Sequence, residues 1–221
     1  MTIKVITAPG PVCFPLLASG SDRFEISFAK EGDAPIILDS SVSLIKRNVP
    51  IDMVLLSGLS VVYPDLGQKM ALWRRGSAND HIAQAIIRRE KLKTELVYVD
   101  NPQEISSLIE QGKVDSAILP VTSGRNGIKL EERAARSGLY VPGSCSAKVP
   151  EEYVDLFREA YLQGIDNFRK EPEKTADLVN SKLPSKFNRE FVYGSILKMK
   201  PVMKEPGDYS ELRKELLNGT D

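Results

Sequence analysis

Small polar residues that follow short apolar runs are the features of this 221-residue sequence with the clearest chemical potential. Where a buried strand ends in Gly, Ser, Thr or Pro, the backbone N–H groups of the next turn stay open to a ligand. Because the carboxyl ends of parallel strands meet at one edge of a sheet, such turns predict a shared binding site. The segments that fit this description are Ala8–Pro11, Lys30–Asp33 with Asp39–Ser41, Ser57–Ser60, Arg74–Asn79 and Pro120–Ser123.

The turn Arg74–Asn79 is the strongest of these candidates. It lies between a predicted strand and a predicted helix, so its N–H groups lie at the positive end of the helix dipole. Gly76 permits close approach of the backbone, Ser77 offers a hydroxyl, and Arg75 could pair with a carboxylate, sulfonate or phosphate. An ordinary helix cap with an exposed arginine explains the same residues, and the sequence leaves both interpretations open.

The predicted ligand-binding residues come from several of these strand ends. Asp39 has two open roles, because it could bind a ligand amine or cap the helix that follows it. The predicted set is Ala8, Pro9, Gly10, Asp39, Ser40, Ser41, Ser57, Gly58, Arg75, Gly76, Ser77, Asn79 and Thr122. No catalytic residue, metal ligand or cofactor is predicted.

Enzymatic chemistry has little support in the residue types. His81 is the only histidine, and it falls in the first turn of a predicted helix without a nucleophile elbow. Cys13 and Cys145 are too few for a disulfide framework or a structural zinc site, so buried free thiols are the favoured interpretation. The carboxylate pairs Glu131–Glu132 and Glu151–Glu152 are interpreted as solvated helix surface. A Cys13–His81 pair bordering one cleft stays open as a catalytic alternative.

Composition argues against several classes of partner. Lys plus Arg and Asp plus Glu both number 30, so the formal net charge is zero, and no basic stripe indicates nucleic-acid contact. No segment approaches the ~20 apolar residues of a membrane-spanning helix. The start at Met1 lacks a charged and then apolar leader, which predicts a cytoplasmic protein, or an extracytoplasmic one if a leader has been removed.

Apolar runs and helical stripes alternate through the first half, which indicates βαβ units and a mainly parallel sheet. Asn101 is predicted to cap one helix, with Pro102 as its first residue and Glu104 as the capping-box partner. From Pro150 onward the pattern is helical almost to the end, and Asn188 is predicted to cap one of these helices. The predicted strands are Ile3–Thr7, Phe24–Ala29, Asp52–Leu56, Met70–Trp73, Leu96–Val99, Val114–Leu119 and Leu139–Val141.

A change of texture near residue 120 predicts two lobes. The first comprises residues 1–68 with 140–221, and the second, residues 69–139, is inserted into it. The predicted fold class is therefore α/β, with two lobes of mainly parallel sheet flanked by helices and a helical C-terminus, because such sheets need cover on both faces.

Several segments carry a resemblance to a known family. The run Met70–Ser77, the helix start Asn101–Glu104 and the strand Gly112–Pro120 follow one another as in the second lobe of nitrate/sulfonate/thiamine-pyrimidine-type solute-binding proteins. The C-terminal part is similar as well, since Pro150–Glu152 opens a long helix and Asn167–Leu183 is similar to the family's helix pair around a Pro–Glu step. The likeness covers most of the chain, although no single motif in it is diagnostic.

This resemblance implies a class II periplasmic-binding-protein fold with a hinged cleft between two lobes. The loops facing the ligand would include Ala8–Gly10, Asp39–Ser41, Ser57–Gly58 and Gly76–Asn79. The expected function is binding of a small anionic or zwitterionic solute, without catalysis, and the sequence gives no support for a transporter partner. The chain is shorter than usual for that family and has no leader or lipidated N-terminal cysteine, which favours a cytoplasmic relative.

Two other functions stay open. Relatives in menaquinone and thiamine-pyrimidine biosynthesis use this architecture without a leader, which makes a biosynthetic enzyme the first alternative. A ligand-sensing or partner-docking protein with bulky side chains in its cleft is the second alternative. Because one fold hosts many functions, the resemblance alone does not choose among them.

Overall fold

A computed structural model describes residues 2–184 and 187–218, and within these ranges the chain forms eleven strands and nine helices. Met1, residues 185–186 and residues 219–221, all assigned to the predicted first lobe, lie outside the described residues. The strands are β1 (Ile3–Thr7), β2 (Phe24–Phe28), β3 (Ile36–Ser40), β4 (Met53–Ser57), β5 (Ser60–Tyr63), β6 (Lys69–Trp73), β7 (Glu95–Val99), β8 (Ser116–Pro120), β9 (Ile128–Lys129), β10 (Cys145–Lys148) and β11 (Lys200–Lys204). The helices are α1 (Phe14–Ala18), α2 (Ser41–Lys46), α3 (Ala78–Glu90), α4 (Gln103–Glu110), α5 (Leu130–Arg136), α6 (Val154–Lys170), α7 (Pro172–Lys182), α8 (Arg189–Lys198) and α9 (Ser210–Asn218).

The strands form two sheets. The first has the order β11-β4-β10-β3-β1-β2, with β1 to β4 parallel to one another and β10 and β11 antiparallel to their neighbours. The second has the order β7-β6-β8-β5-β9, in which β6, β7 and β8 are parallel and β5 runs antiparallel. This arrangement, with helices packed on the sheets, confirms the predicted α/β fold class.

The chain passes between the sheets twice. The first crossover is Gly58–Leu59, between β4 and β5, and the second is the segment 137–144, between α5 and β10. The division into residues 1–68 with 140–221 and residues 69–139 stays a prediction. Strand pairing puts β5 in the second sheet, where Val62 lies opposite Ile118 on β8, so the first crossover precedes residue 69.

Two sequence-based assignments near helix and strand ends were wrong in detail. Leu139–Val141 is not a strand, because Pro142 and Gly143 follow it and β10 begins only at Cys145. Pro142 has no N–H to donate to a neighbouring strand. Pro102, not Asn101, is the N-cap residue of α4, although the Asn101 side chain still accepts a hydrogen bond from the Gln103 N–H (3.0 Å).

The hydrophobic core divides into clusters on the faces of the sheets. Helices α1 and α6 cover the first sheet, where Phe14, Phe157 and Tyr161 are fully buried. A second cluster joins α2, α3 and α9 and contains Met70 of β6, and Ile37 of β3 packs against it. A third cluster, around Ile105 of α4, lies on the other face of the second sheet.

No helix within the described ranges is both long and apolar enough to span a bilayer. Capping explains several of the helix boundaries. The Ser40 side chain accepts from the Ser43 N–H at the start of α2, and the Asn188 side chain accepts from the Glu190 N–H at the start of α8. Such caps satisfy N–H groups that have no partner inside the helix. The cap at Asn188 confirms the sequence-based assignment.

A buried arginine ties together three segments around the second sheet. Arg133 on α5 is only 7% exposed, and its Nε lies 2.6 Å from the Asp65 carboxylate. Its two terminal nitrogens each donate to the Glu90 carboxylate at 2.7 Å. These hydrogen bonds lower the pKa of Glu90 from 4.5 to about 2. The carboxylate form of Glu90 is therefore favoured by folding.

We expect Glu90 to make the protein lose stability in acid. A lowered pKa contributes stability above the unfolded value of 4.5, and this contribution disappears as the pH falls through about 2. Because the Glu90 side chain is 29% exposed, screening reduces the effect to about 1–2 kcal/mol. Urea unfolding of the wild type and of Glu90→Gln measures it. The variant should be less stable at pH 7, and the difference should shrink at pH 2.5; an equal difference at both pH values would contradict the assignment.

Candidate functional site

The carboxyl edge of the first sheet brings three predicted ligand segments together. Ala8–Gly10 follows β1, Ser40 ends β3 and Ser57 ends β4, and these three strands are parallel. Strand β10 starts at the same edge, since Cys145 lies opposite both Ser40 and Leu56. These segments therefore lie where the sequence analysis expected them, at the carboxyl ends of parallel strands.

The carboxyl edge of the second sheet collects the remaining segments. Arg74–Asn79 follows β6, and the 3₁₀ turn Val121–Ser123 follows β8. Strand β5 begins at this edge, with Ser60 opposite Pro120. Since β5 follows β4 after only two residues, the carboxyl edges of the two sheets meet at the crossovers.

A carboxylate ties the two crossovers together. Glu131 Oε1 accepts hydrogen bonds from the Gly58 N–H (2.9 Å) and from the Ser144 hydroxyl. The Ser144 hydroxyl oxygen in turn accepts from the Leu59 N–H at 3.1 Å. Glu131 Oε2 is buried and has no hydrogen-bond partner among the residues that the structure describes. We call this group of residues, Gly58, Leu59, Glu131 and Ser144, the crossover cluster.

The interpretation of Glu131 as solvated helix surface was wrong. The residue is half-buried in the first turn of α5, whereas its neighbour Glu132 is exposed. Its partners lie far away in the sequence, at the end of β4 and just before β10. No local pattern marks such a contact, so the sequence carried no signal for it.

Asp39 already accepts three hydrogen bonds within the protein. It is 7% exposed, and its Oδ1 accepts from the Ser40 N–H at 2.7 Å. Its Oδ2 accepts from the Ser43 hydroxyl (2.7 Å) and from the Arg47 guanidinium (2.9 Å). Of the two roles left open for Asp39, this geometry supports the structural one. The carboxylate does not cap α2 itself, because the Ser40 side chain supplies the cap. It instead binds residues around the start of that helix.

Ser41 is also used internally. Its side chain is completely buried, and its hydroxyl pairs with that of Ser146 at 2.7 Å. Its N–H donates to the Ser144 carbonyl at 3.2 Å. The structure therefore places Asp39 and Ser41 beneath the carboxyl edge, and their role in ligand binding stays a prediction.

The turn after β6 uses much of its own hydrogen-bonding capacity. The Gly76 N–H donates to Asp80 Oδ2 (2.7 Å), and the Ser77 side chain accepts from the Asp80 N–H (3.2 Å). Gly76 has a φ of 77°, a conformation that glycine adopts readily. Asp80 is fully buried and was missed by the sequence analysis, although the spacing Ser77–Asp80 matches a capping box in which Asp replaces Glu.

Other predicted site residues keep more freedom. A Cβ atom added at Gly10 would meet no heavy atom within 4 Å. Pro9 is exposed, while Ala8, Ser57, Asn79 and Thr122 are partly exposed. Thr122 faces α8 of the first lobe, because a Cβ at Gly194 would lie 3.4 Å from its methyl group.

The cysteines and the histidine do not form a catalytic pair. The Cys13 thiol donates to the Gly10 carbonyl (3.2 Å), and burial raises its pKa to about 11. Burial also raises the pKa of Cys145. His81 Nε2 lies 2.8 Å from the Lys46 ammonium, and burial together with Lys46 lowers the pKa of His81. Both thiols are therefore protonated and weakly nucleophilic, and His81 has a structural partner.

Solved structures with the same architecture identify the fold. A putative nitrate transport protein from Thermoplasma volcanium has a TM-score of 0.74 at 20% identity, over 99% of this chain and 92% of that chain. An ABC transporter from Parabacteroides distasonis has a TM-score of 0.60 at 14% identity, over 99% and 90%. A protein from Archaeoglobus fulgidus has a TM-score of 0.52 at 12% identity, over 98% and 96%. These similarities confirm the predicted class II periplasmic-binding-protein-like fold.

Sequence comparison gives a family. Residues 1–201 match the family model described as "Protein of unknown function (DUF3834)". No curated protein matches the sequence. The match includes every predicted ligand segment and all of the strands except the end of β11.

Proposed function

The chain belongs to the DUF3834 family, and from its fold we propose that it binds a small solute between its two lobes. The observation that carries the proposal is the meeting of the two carboxyl edges at the crossover cluster. Ligands of open α/β sheets bind at such edges, where turns from several strands converge. The structural neighbours named as a nitrate transport protein and an ABC transporter support the same class of function.

The proposed site draws on residues of both lobes. Ala8–Gly10 and Ser57–Gly58 come from the first sheet, while Thr122 and the turn Gly76–Asn79 come from the second. Asp39–Ser41 lies at the same edge, and Ser41 contacts Ser144 in the second crossover and Ser146 on β10. Hinge motion about the two crossovers would let the lobes close on the solute.

The crossover cluster favours a zwitterionic solute over a simple oxyanion. Glu131 Oε2 is buried without a partner, and an unsatisfied buried acceptor costs about 1–3 kcal/mol. A ligand ammonium or N–H group would satisfy it. The Lys129 ammonium group lies next to Gly58, because a Cβ atom at Gly58 would collide with it. Lys129 makes no ion pair with a described residue. Lys129 could therefore pair with the anionic end of the same molecule.

A thermal-shift screen tests this proposal. The zwitterions glycine, glutamine and betaine and the oxyanions nitrate and sulfate serve as probes. A solute at about 100 times its Kd should raise the free energy of unfolding by about 2.7 kcal/mol. If none of these compounds raises the melting temperature, and native mass spectrometry finds no small molecule bound to the purified protein, the proposal of a solute-binding site fails.

Two variants locate the response. Gly10→Ala should fold normally, because its backbone is extended and the added Cβ meets no heavy atom within 4 Å, yet it should weaken the shift by narrowing the site. Glu131→Gln should weaken zwitterion binding by about tenfold, since a charge-assisted hydrogen bond is lost. Oxyanion binding should be unchanged or stronger in that variant. An equal loss for both classes would contradict the assignment of Oε2 to a ligand donor.

A further inference from the structure

A cavity of about 620 Å³ lies away from the crossover cluster, between α3 and the edge strand β7 of the second sheet. Its volume falls in the range of small-molecule sites. Arg75, Gln84, Leu96 and Tyr98 line it, whereas Ala8–Gly10, Asp39–Ser41, Ser57–Gly58 and Thr122 do not. The predicted anion-binding arginine therefore lines a cavity to which the other predicted ligand residues do not contribute.

Arg75 provides an unpaired positive charge in this cavity. It makes no ion pair with any residue in the described part of the chain. Its guanidinium carbon lies 4.6 Å from the centroid of the Tyr98 ring. Stacking on one face holds the guanidinium plane and leaves its N–H edge free for two parallel hydrogen bonds to an oxyanion.

Tyr98 is itself fixed from below. Its hydroxyl donates to Asp80 Oδ1 at 2.9 Å, and Asp80 is completely buried. The same carboxylate accepts from Gln84 (2.7 Å) and from the Gly76 N–H, next to Arg75. Burial and the Asp80 hydrogen bond raise the pKa of Tyr98 to about 12, so the ring under Arg75 stays neutral. The arginine, the ring and the turn therefore form one preorganised unit.

The rest of the cavity lining combines polar side chains with a smaller apolar surface. Leu96 on β7 and Ile87 on α3 supply apolar surface along it. Arg88 at the far end already donates to the Glu215 carbonyl at 3.0 Å, and its guanidinium lies 3.6 Å from the Glu215 carboxylate. The cavity thus combines the free cation of Arg75 with a second arginine that Glu215 largely neutralises, and Leu96 and Ile87 add apolar surface.

We propose that the cavity between α3 and β7 is a second binding site, which takes a small organic anion. The carboxylate, phosphate or sulfonate of the ligand pairs with Arg75, and its apolar body lies on Leu96 and Ile87. This site is independent of the solute site between the lobes. Neither its ligand nor its occupancy depends on the crossover cluster.

A series of carboxylates tests this site by NMR titration. Acetate, butyrate and hexanoate share one charge and differ in apolar length, and backbone amide shifts of Gln84, Leu96 and Tyr98 report on the cavity. Affinity should rise with chain length, because each added CH₂ buries apolar surface. Arg75→Ala should weaken hexanoate binding by about tenfold or more, since it removes a charge-assisted pair.

Arg74→Ala is the matched control. It removes the same charge from the neighbouring position, but Arg74 stacks over Trp73 and does not line the cavity. Its hexanoate affinity should stay within about twofold of the wild type, since exposed charges farther away are screened by salt. Equal losses for the two variants, an absence of saturable shifts at millimolar hexanoate, or shifts confined to Gly10 and Gly58 would each overturn the proposal. The last result would instead assign the anion to the interlobe site.

Discussion

Replacing Gly164 by alanine should destabilise the protein by about 3 kcal/mol, because the new methyl group has no room. Gly164 lies in α6 where that helix crosses α1, and a Cβ there would overlap the backbone carbonyl of Pro15. Neither helix can move aside easily. Phe14 of α1 and Phe157 of α6 are both fully buried in the core of the first lobe. Urea unfolding at neutral pH measures the loss.

Gly194 provides the matched control for this substitution. It also lies inside a helix, α8, but a Cβ there would lie 3.4 Å from Thr122 Cγ2, an ordinary contact distance. Gly194→Ala should therefore stabilise the protein by up to about 1 kcal/mol, the helix-propensity difference between the two residues. A Gly164→Ala variant as stable as the wild type would mean that the spacing of α1 and α6 is adjustable.

The crossing of α1 and α6 also bears on the proposed solute site. The Tyr161 hydroxyl of α6 donates to the Val12 carbonyl at 3.0 Å, within the 3₁₀ turn that follows Gly10. The position of the Ala8–Gly10 turn is thus set by helices that come much later in the sequence. A shift of α6 that relieved the clash at Gly164 would displace this turn.

Local patterns in the sequence were sufficient for much of the fold. The parallel strands β1, β2, β4, β6, β7 and β8 were predicted because each is a compact apolar run between turn residues. The change of texture near residue 120 and the resemblance to solute-binding proteins both indicated two lobes. Strands β3, β5, β9, β10 and β11 were not predicted. Strand β3 is parallel to β1 and runs directly into the cap of α2. The other four are short and pair antiparallel at or near the crossovers.

The candidate site was harder to predict than the fold. The expectation that ligands bind where parallel strands end identified the turns, but it could not tell which backbone N–H groups remain free. The Gly76 N–H donates to the Asp80 carboxylate. The Gly58 N–H donates to the carboxylate of Glu131, which is 73 residues away in the sequence. Side-chain direction was equally inaccessible, since Arg75 stacks on Tyr98 of the next strand rather than extending toward the first lobe. These contacts depend on tertiary packing, which no local pattern encodes.

Replacing Asp39 by alanine should cost about 3 kcal/mol of stability, because it leaves the partly buried Arg47 charge without its partner. The side chains of Arg47 and Asp39 are 20% and 10% exposed, and their closest atoms are 2.9 Å apart. The substitution also removes an acceptor from the Ser40 N–H and from the Ser43 hydroxyl. Chemical denaturation of Asp39→Ala, Arg47→Ala and the double variant gives the interaction energy of the pair.

The same variants separate the two roles first considered for Asp39. If the carboxylate is structural, Asp39→Ala lowers stability and the double variant recovers part of the loss, because no unpaired charge remains in it. Solute affinity, measured below the unfolding transition, should then change little. If instead Asp39 binds a ligand amine, stability should change little while the affinity for zwitterions collapses. The three hydrogen bonds that the carboxylate already accepts favour the first result, because few of its lone-pair positions remain for a ligand.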